Sequence, residues 1–348
     1  MFSPDYENTA NAALNRKSAR IPLYEHVVSH GIMETILGKK FADLFKGNFN
    51  DKKEFFRSFC EFYKKCGYDT VSYECGTGAI MPGSGALGSH REGVIKTRSD
   101  FEKYPWDSLT EIYFNRYTEY FRALNEVMPS GMKAVGGVGN GIFECVQDVV
   151  GFQELCFIKS DDEELYAGLF AKIGDMLAGI WERFLREFGD LFCVCRMGDD
   201  LGYKSNTLLS AEDIRKHIIP QYKRVVDLVH KRGKPFLLHT CGCVFNVMDD
   251  IISVAKIDAK HSNEDVISPY SKWIDDYGDR IGNFGGLDTD VLCDSSAVDL
   301  AEYTTRVYKT CEAKGRGVAI GSGNSIPDYV SPKRYCLMLD TVRKLRGE

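Results

Sequence analysis

Pro235-Phe236-Leu237-Leu238-His239-Thr240-Cys241-Gly242-Cys243 is an apolar run that ends in an imidazole and two thiols at alternate positions. A short, continuous apolar run of this kind suits a strand buried on both faces, as in a parallel sheet. Its polar end then marks the carboxyl tip of the strand. A tip that delivers His239 and Cys241 to one point is chemically suited to a soft or borderline metal ion.

Working outward, seven further strand-like runs are spaced along the chain: Ile21–His26, Thr70–Cys75, Lys133–Val138, Phe192–Met197, Ile257–His261, Ile281–Gly286 and Gly317–Gly321. With Pro235–His239 they make eight, and helical patterns separate them. In Ser210–Lys231 the residues Ile214, Ile218, Tyr222, Val225, Val226 and Val229 recur near the helical period, Ser210 with Asp213 forms a capping pattern and Gly233 is placed to end the helix. Similar patterns cover Asp51–Cys66, Leu109–Val127, Glu163–Glu187, Val244–Ala255, Pro269–Tyr277, Ala297–Ala313 and Pro332–Leu345. Eight βα units predict an α/β fold, a single (β/α)8 barrel over residues 1–348, with an open doubly wound sheet as the alternative. Residues 1–20 are expected to form an N-terminal helical arm. The glycine-rich segment Gly76–Tyr104 is expected to be a long loop after the second strand, over one end of the barrel.

The 348 residues carry a formal charge of −6 with both signs interspersed, and 44% of them are hydrophobic. Such a chain can bury a large core and offers no basic face for nucleic acid or an anionic membrane. No run approaches the roughly 18 apolar residues of a membrane span. Met1-Phe2-Ser3-Pro4-Asp5-Tyr6 lacks the charged and apolar regions of a secretory leader, so a cytoplasmic location is expected. The 12 cysteines are scattered through a large chain, which predicts reduced thiols rather than a disulfide framework. Cys60, Cys66, Cys145, Cys156, Cys311 and Cys336 fall in helical patterns and are expected to pack in the core.

In a parallel barrel the functional site lies at the carboxyl ends of the strands. The polar residues there are Glu74-Cys75-Gly76, Gly139-Asn140-Gly141, Gly198-Asp199-Asp200, His239-Thr240-Cys241, His261-Ser262-Asn263-Glu264, Leu287-Asp288 and Gly323-Asn324-Ser325. Histidine, thiolate and carboxylate from neighbouring strands suit zinc, which in catalytic sites takes about three protein ligands and keeps an open position. His239 and Cys241 are the first two; Cys243, His261, Glu264 and Glu74 are candidates for the third. His26 and His30 open the first βα loop and line the barrel mouth. Gly137-Val138-Gly139-Asn140-Gly141 lacks the spacing of a dinucleotide fingerprint, and neither a phosphate-binding loop nor a nucleophile elbow is present.

Arg20-Ile21-Pro22, Gly198-Asp199-Asp200-Leu201-Gly202, Leu209-Ser210-Ala211-Glu212-Asp213, His239-Thr240-Cys241-Gly242, Gly285-Gly286-Leu287-Asp288 and Gly321-Ser322-Gly323-Asn324-Ser325-Ile326-Pro327 follow one another in a familiar order. In this series the chain resembles the uroporphyrinogen decarboxylase superfamily, whose fold is a single (β/α)8 TIM barrel. True decarboxylases of that superfamily carry an arginine-rich stretch after the first strand and a serine-aspartate after the second. This chain has Tyr24-Glu25-His26-Val27-Val28-Ser29-His30-Gly31 and Tyr73-Glu74-Cys75 instead. The other branch comprises corrinoid- or cobalamin-dependent methyltransferases, similar in a His-x-Cys pair and a later cysteine that bind zinc. His239 and Cys241 match the pair, while Asn324 occupies the place of the later cysteine. His261 is the first substitute for it and Cys243 the second.

The resemblance implies a methyltransferase of an anaerobic C1 system. It would move a methyl group between a corrinoid and a small methylated substrate (a methyl ether, as in O-demethylases, a methylamine or a betaine-like compound) or a thiol. The expected metal ligands are His239, Cys241 and His261. Asp199 and Glu74, with Asp200, are the expected proton donors or substrate-orienting groups, and Tyr73, Tyr203, Asn140, Asp288 and Asn324 the expected substrate contacts. Tyr203, Tyr73 and Phe284 could also meet an aromatic or corrin face. The corrinoid would come from a separate corrinoid-binding protein, and a homodimer is the default assembly. Rival readings are a lyase acting on a carboxylic acid and a binding barrel without catalysis.

Overall fold

A computed structural model of the chain describes residues 2–88 and 90–348; Met1 of the expected arm and Ser89 of the expected loop lie outside the described residues. Seven parallel strands run in chain order around one sheet: β1 Thr70–Gly76, β2 Lys133–Gly139, β3 Phe192–Gly198, β4 Phe236–His239, β5 Ala259–His261, β6 Gly282–Leu287 and β7 Val318–Ser322. Helices between the strands cover the outer face. Leu109–Val127, Glu163–Glu187 and Pro332–Leu345 have the bounds the sequence pattern predicts. The fold is thus of the TIM-barrel type.

The expected eighth strand, Ile21–His26, is the exception. It meets β7 at one isolated bridge, Leu23 to Ile320, and a second bridge, Val28 to Ile326, follows beyond both segments. Tyr24 N–H donates to the Ile320 carbonyl and Ile320 N–H to the Pro22 carbonyl, both at 2.9 Å. Pro22 has no N–H to add to a ladder. Toward β1, side chains replace the ladder. Ser72 Oγ donates to the His26 carbonyl at 2.7 Å, and the guanidinium of Arg196, reaching across from β3, donates to the same carbonyl at 3.0 Å. Arg196 also donates to Tyr24 Oη at 3.0 Å, to Ser72 Oγ at 2.5 Å and, through Nε and a terminal nitrogen, to Glu74 at 3.0 and 2.6 Å. Its side chain is fully buried.

On the β7 side of this seam lies a second buried ionisable group. Glu25 accepts from Ser322 N–H at 3.2 Å with each oxygen and touches Ser322 Oγ and, at 3.3 Å, Tyr68 Oη. Ser322 Oγ is also 2.6 Å from the Asn324 carbonyl. One hydroxyl hydrogen cannot serve both acceptors, so a proton on Glu25 completes the arrangement. Burial pushes the Glu25 carboxyl up to about 8, against the pull of its Ser322 bonds.

The expected arm is a helix, Glu7–Ala13, that closes the floor of the barrel. Ala12 and Ala13 pack with Tyr24, Leu237, Phe284 and Ala319. β6 begins with glycine because a Cβ on Gly282 would lie 2.4 Å from the Ala12 carbonyl oxygen. The expected loop 76–104 contains a 3₁₀ turn, Gly78–Ile80, and a short helix, Arg98–Lys103, started by a Thr97–Asp100 capping box. Ser210 caps the following helix as expected, but Ile214–Ile218 widens into a π turn. Pro220 lacks an N–H and would press on the carbonyl four residues back, and a wider turn relieves both. The helices His30–Leu37, Ile142–Val150, Phe152–Asp161 and Thr289–Asp294 are additions to the expected set. The 12 cysteines are unpaired, and Cys156, expected in the core, is exposed. Among the described residues no helix is long and apolar enough to cross a membrane.

Arg196→Met leaves Glu74, Ser72 and two seam oxygens without their buried donor. The expected loss is about 3–5 kcal/mol of unfolding free energy. Urea titration measures it, and a loss below about 1 kcal/mol would show that the seam closes without the guanidinium. Glu25 supplies a test with pH. Its folded value of about 8 stands above the 4.5 of an unperturbed glutamate, so its contribution is complete below 4.5 and lost as pH rises through about 8. Buried Lys260, pushed down to about 7, shifts stability the other way but is common to wild type and Glu25→Gln. The stability of wild type relative to Glu25→Gln should therefore fall between about pH 5 and about pH 9. A difference that stays constant over that span would mean that Glu25 keeps one charge state.

Candidate functional site

β3, β4 and β5 bring their tips into register: Gly198 stands opposite His239, and His239 opposite His261. Both histidines are buried and point into the barrel mouth. Their Nδ1 atoms are 2.7 Å apart, and His261 Nε2 lies 3.0 Å from the Ser322 carbonyl of β7. His26, from the first segment, stacks on His239 with ring centroids 3.8 Å apart and planes within 10°. Burial holds His26 and His239 well below the ordinary histidine range and His261 down to about 3, so all three are neutral near pH 7. His30, by contrast, packs among Phe41, Phe45 and Phe55 in the helical layer.

The other edge of His239 faces sulfur and carboxylate. Cys241 Sγ is 3.4 Å from His239 Nε2, and Asp200 Oδ1 is 3.8 Å from the same nitrogen. Asp200 Oδ1 also accepts from the Cys241 N–H at 2.9 Å, which ties the β3 and β4 tips together. Burial, reinforced by Asp200, pushes the Cys241 thiol up, so it stays protonated unless a cation is present. Asn324 Nδ2 is 3.4 Å from Cys241 Sγ, so this residue does reach the site.

Two groups of three potential ligands therefore share His239: one with His26 and His261, the other with Asp200 and Cys241. Bonds of about 2.0 Å to nitrogen and 2.3 Å to sulfur put tetrahedral ligand atoms roughly 3.3–3.6 Å apart. The 3.4 Å from His239 to Cys241 fits that edge, and Asp200, at 3.8 Å from His239, stands slightly wide of it. The 2.7 Å between His239 and His261 is too short for it and is a hydrogen bond. His261, expected as the third ligand, lies on the Nδ1 side of His239, and Asp200 lies with Cys241 on its Nε2 side. Cys243 belongs to neither group.

The remaining expected residues divide by direction. Glu74 faces inward but is held by Arg196 at two points, as an acceptor rather than a proton donor. Tyr73, its neighbour, faces outward between Phe56, Phe59 and Phe121 and is core, and Phe284 is buried against Tyr24 below the mouth. Asp199 turns away from its neighbour Asp200. It accepts from Phe143 N–H at 3.0 Å, Glu144 N–H at 2.8 Å and Tyr222 Oη at 2.5 Å, and so fixes the start of the helix Ile142–Val150. Asp288 likewise starts Thr289–Asp294, accepting from Asp290 and Val291. Tyr203 lies exposed on the rim. Asn140, in the left-handed region at φ 64°, donates to Glu144 at 3.0 Å.

Glu144 has no counterpart among the expected site residues. Burial and the nearby Asp199 and Asp200 push its carboxyl well up. Asp199, pushed to about 6, has three donors and keeps the negative charge, so Glu144 carries the proton. Its signal in the sequence was slight: an acid in the first turn of a helix opened by Asn140-Gly141. A cavity of about 270 Å³ lies at the tips of β5, β6 and β7, lined by Glu264, Asp288, Asp290, Asn324 and Tyr329 among others, with no lysine or arginine. A larger cavity, about 820 Å³, lies apart from the mouth, between the 84–97 segment and the helices Ile142–Val150 and Phe152–Asp161, and its lining has no histidine or cysteine.

Comparison with known proteins agrees with the fold. A methyltransferase from Methanosarcina mazei superposes with a TM-score of 0.70 at 12% identity, over 97% of this chain and 98% of that one. A structure described as a vitamin-B12-independent methionine synthase from Listeria monocytogenes superposes with a TM-score of 0.52 at 10% identity, over 100% of each chain. No curated protein sequence matches. The family model for uroporphyrinogen decarboxylase (URO-D) matches residues 61–345, from the helix before β1 to the last helix. The chain belongs to the uroporphyrinogen decarboxylase family.

Proposed function

We propose that this protein is a metal-assisted methyltransferase that moves a methyl group between a corrinoid carried by a partner protein and a small methylated substrate or thiol. The observation that carries the reading is the spacing of His239 Nε2, Cys241 Sγ and Asp200 Oδ1 at two neighbouring strand tips. Nitrogen and sulfur at a tetrahedral edge, with a half-exposed carboxylate 3.8 Å from the nitrogen, suit a zinc-class ion with an open position. When bound, the ion would act as a Lewis acid on a substrate nitrogen, oxygen or sulfur.

The chain's own residues account for the rest. Asn324 Nδ2 offers an N–H to the sulfur of Cys241 where the family's methyltransferase branch has a further cysteine. Glu144 holds a proton beside Asp200, whose backbone N–H donates to it at 3.3 Å. In this reading that proton serves a departing amine or alkoxide at the mouth. Glu264, Asp288 and Asp290 line the adjoining cavity and no lysine or arginine does, which disfavours the polycarboxylate substrates of the decarboxylase branch. The likeness to the Methanosarcina mazei methyltransferase supports the same branch.

Protein purified without oxygen should contain one equivalent of zinc, and His239→Ala and Cys241→Ala should each lose it. Methyl transfer to cob(I)alamin from a panel of methylamines, betaines and methoxyarenes should fall at least ~100-fold in both variants. A metal-free wild type that transfers no methyl group from any donor overturns the reading. Carbon dioxide release from a carboxylic acid pool, without methyl transfer, would assign the chain to the lyase branch.

A further inference from the structure

We infer that His261 is a positioning residue: it fixes His239 in the tautomer that carries hydrogen on Nδ1 and leaves the Nε2 lone pair facing Cys241 and Asp200. The chain of argument starts at β7. The Ser322 carbonyl can only accept, so His261 Nε2, 3.0 Å away, carries a hydrogen. A neutral imidazole has one ring N–H, so His261 Nδ1 is bare. The 2.7 Å bond between the two Nδ1 atoms then needs its hydrogen from His239. A buried ring stacked face to face on His26 carries one ring hydrogen, which leaves Nε2 unprotonated at 3.4 Å from sulfur and 3.8 Å from carboxylate. The opposite tautomer would set two lone pairs against each other across the buried 2.7 Å gap.

The fold is built to allow this reach. The β5–β6 ladder ends at Lys260 and Asn283, so His261 lies beyond it and leans across β6 to β7. Gly285 of β6 makes room: with φ +107°, a Cβ there would lie 3.1 Å from His261 Cδ2 and 3.0 Å from the Ser322 carbonyl oxygen. Ser322 is itself held by its N–H bonds to Glu25. On its far face His239 is stacked on His26, which sets the plane of the ring. The relay therefore runs from Glu25 through Ser322 and His261 to His239. Its consequence for metal affinity rests on the reading proposed above; the tautomer itself does not.

Long-range ¹H–¹⁵N NMR of the histidine rings in metal-free wild type tests the tautomer directly. The expected result is hydrogen on His239 Nδ1, and hydrogen on Nε2 overturns the inference whatever the variants do. Cobalt(II) titration, read by the sulfur-to-cobalt charge-transfer band, tests the consequence. His261→Leu should bind about 10–100-fold more weakly, while His261→Asn, whose amide oxygen can accept the Nδ1 hydrogen, should stay close to wild type. Wild-type affinity in a folded His261→Leu also overturns it. If wild type binds neither cobalt nor zinc, the metal reading fails while the NMR result still decides the tautomer.

Discussion

A guanidinium with no access to water completes this barrel where the backbone does not. Arg196 is wholly buried and reaches Tyr24, the His26 carbonyl, Ser72 and Glu74, so from β3 it ties together the first segment and β1. A buried cation is tolerated only when its hydrogens are met and its charge is balanced. Glu74 supplies the balance, and the seam oxygens meet the remaining donors. The site depends on this arrangement because His26, fixed by its carbonyl, is the ring that stacks on His239.

The same logic sorts the carboxylates of the mouth. Glu74 is committed to Arg196, Asp199 to a helix start and Asp288 to another. Asp200 alone of the expected acids stands at 3.8 Å from His239, and Glu144 carries a proton because it is buried beside the charges of Asp199 and Asp200. Acid and base character at this mouth is thus set by burial, neighbouring charge and the donors each carboxylate meets, and not by residue type.

Most of the barrel was legible because strands buried on both faces read as apolar runs, as Phe236–Leu238 does, and because the longer helices show clean periodicity. The seam was not, since Ile21–His26 is as apolar as its neighbours and only Pro22 hints that it cannot join a full ladder. His239 and Cys241 were legible from their place at a strand tip. Alternation along β1 also held the answer for Tyr73: if Ser72 and Glu74 face inward, Tyr73 faces out. The diverging directions of Asp199 and Asp200 could not be read, because the first is decided by backbone N–H groups more than 50 positions away. Nor could the role of His261, which depends on the separation of β5 from β7.

The helix that floors the barrel has a consequence for biosynthesis. The turn that follows it is held by the far end of the chain: Asn15 donates to the Gly278 carbonyl across 263 positions, and Gly317 N–H donates to the Arg16 carbonyl. During translation the floor is made first and the last two strands that hold it are made last. Closure therefore waits for nearly the whole chain, and its long-range contacts form late and slowly. Until then Tyr24, Leu237 and Phe284, which meet at the floor, remain uncovered. The half-made chain, and not the finished barrel, is the species most exposed to aggregation.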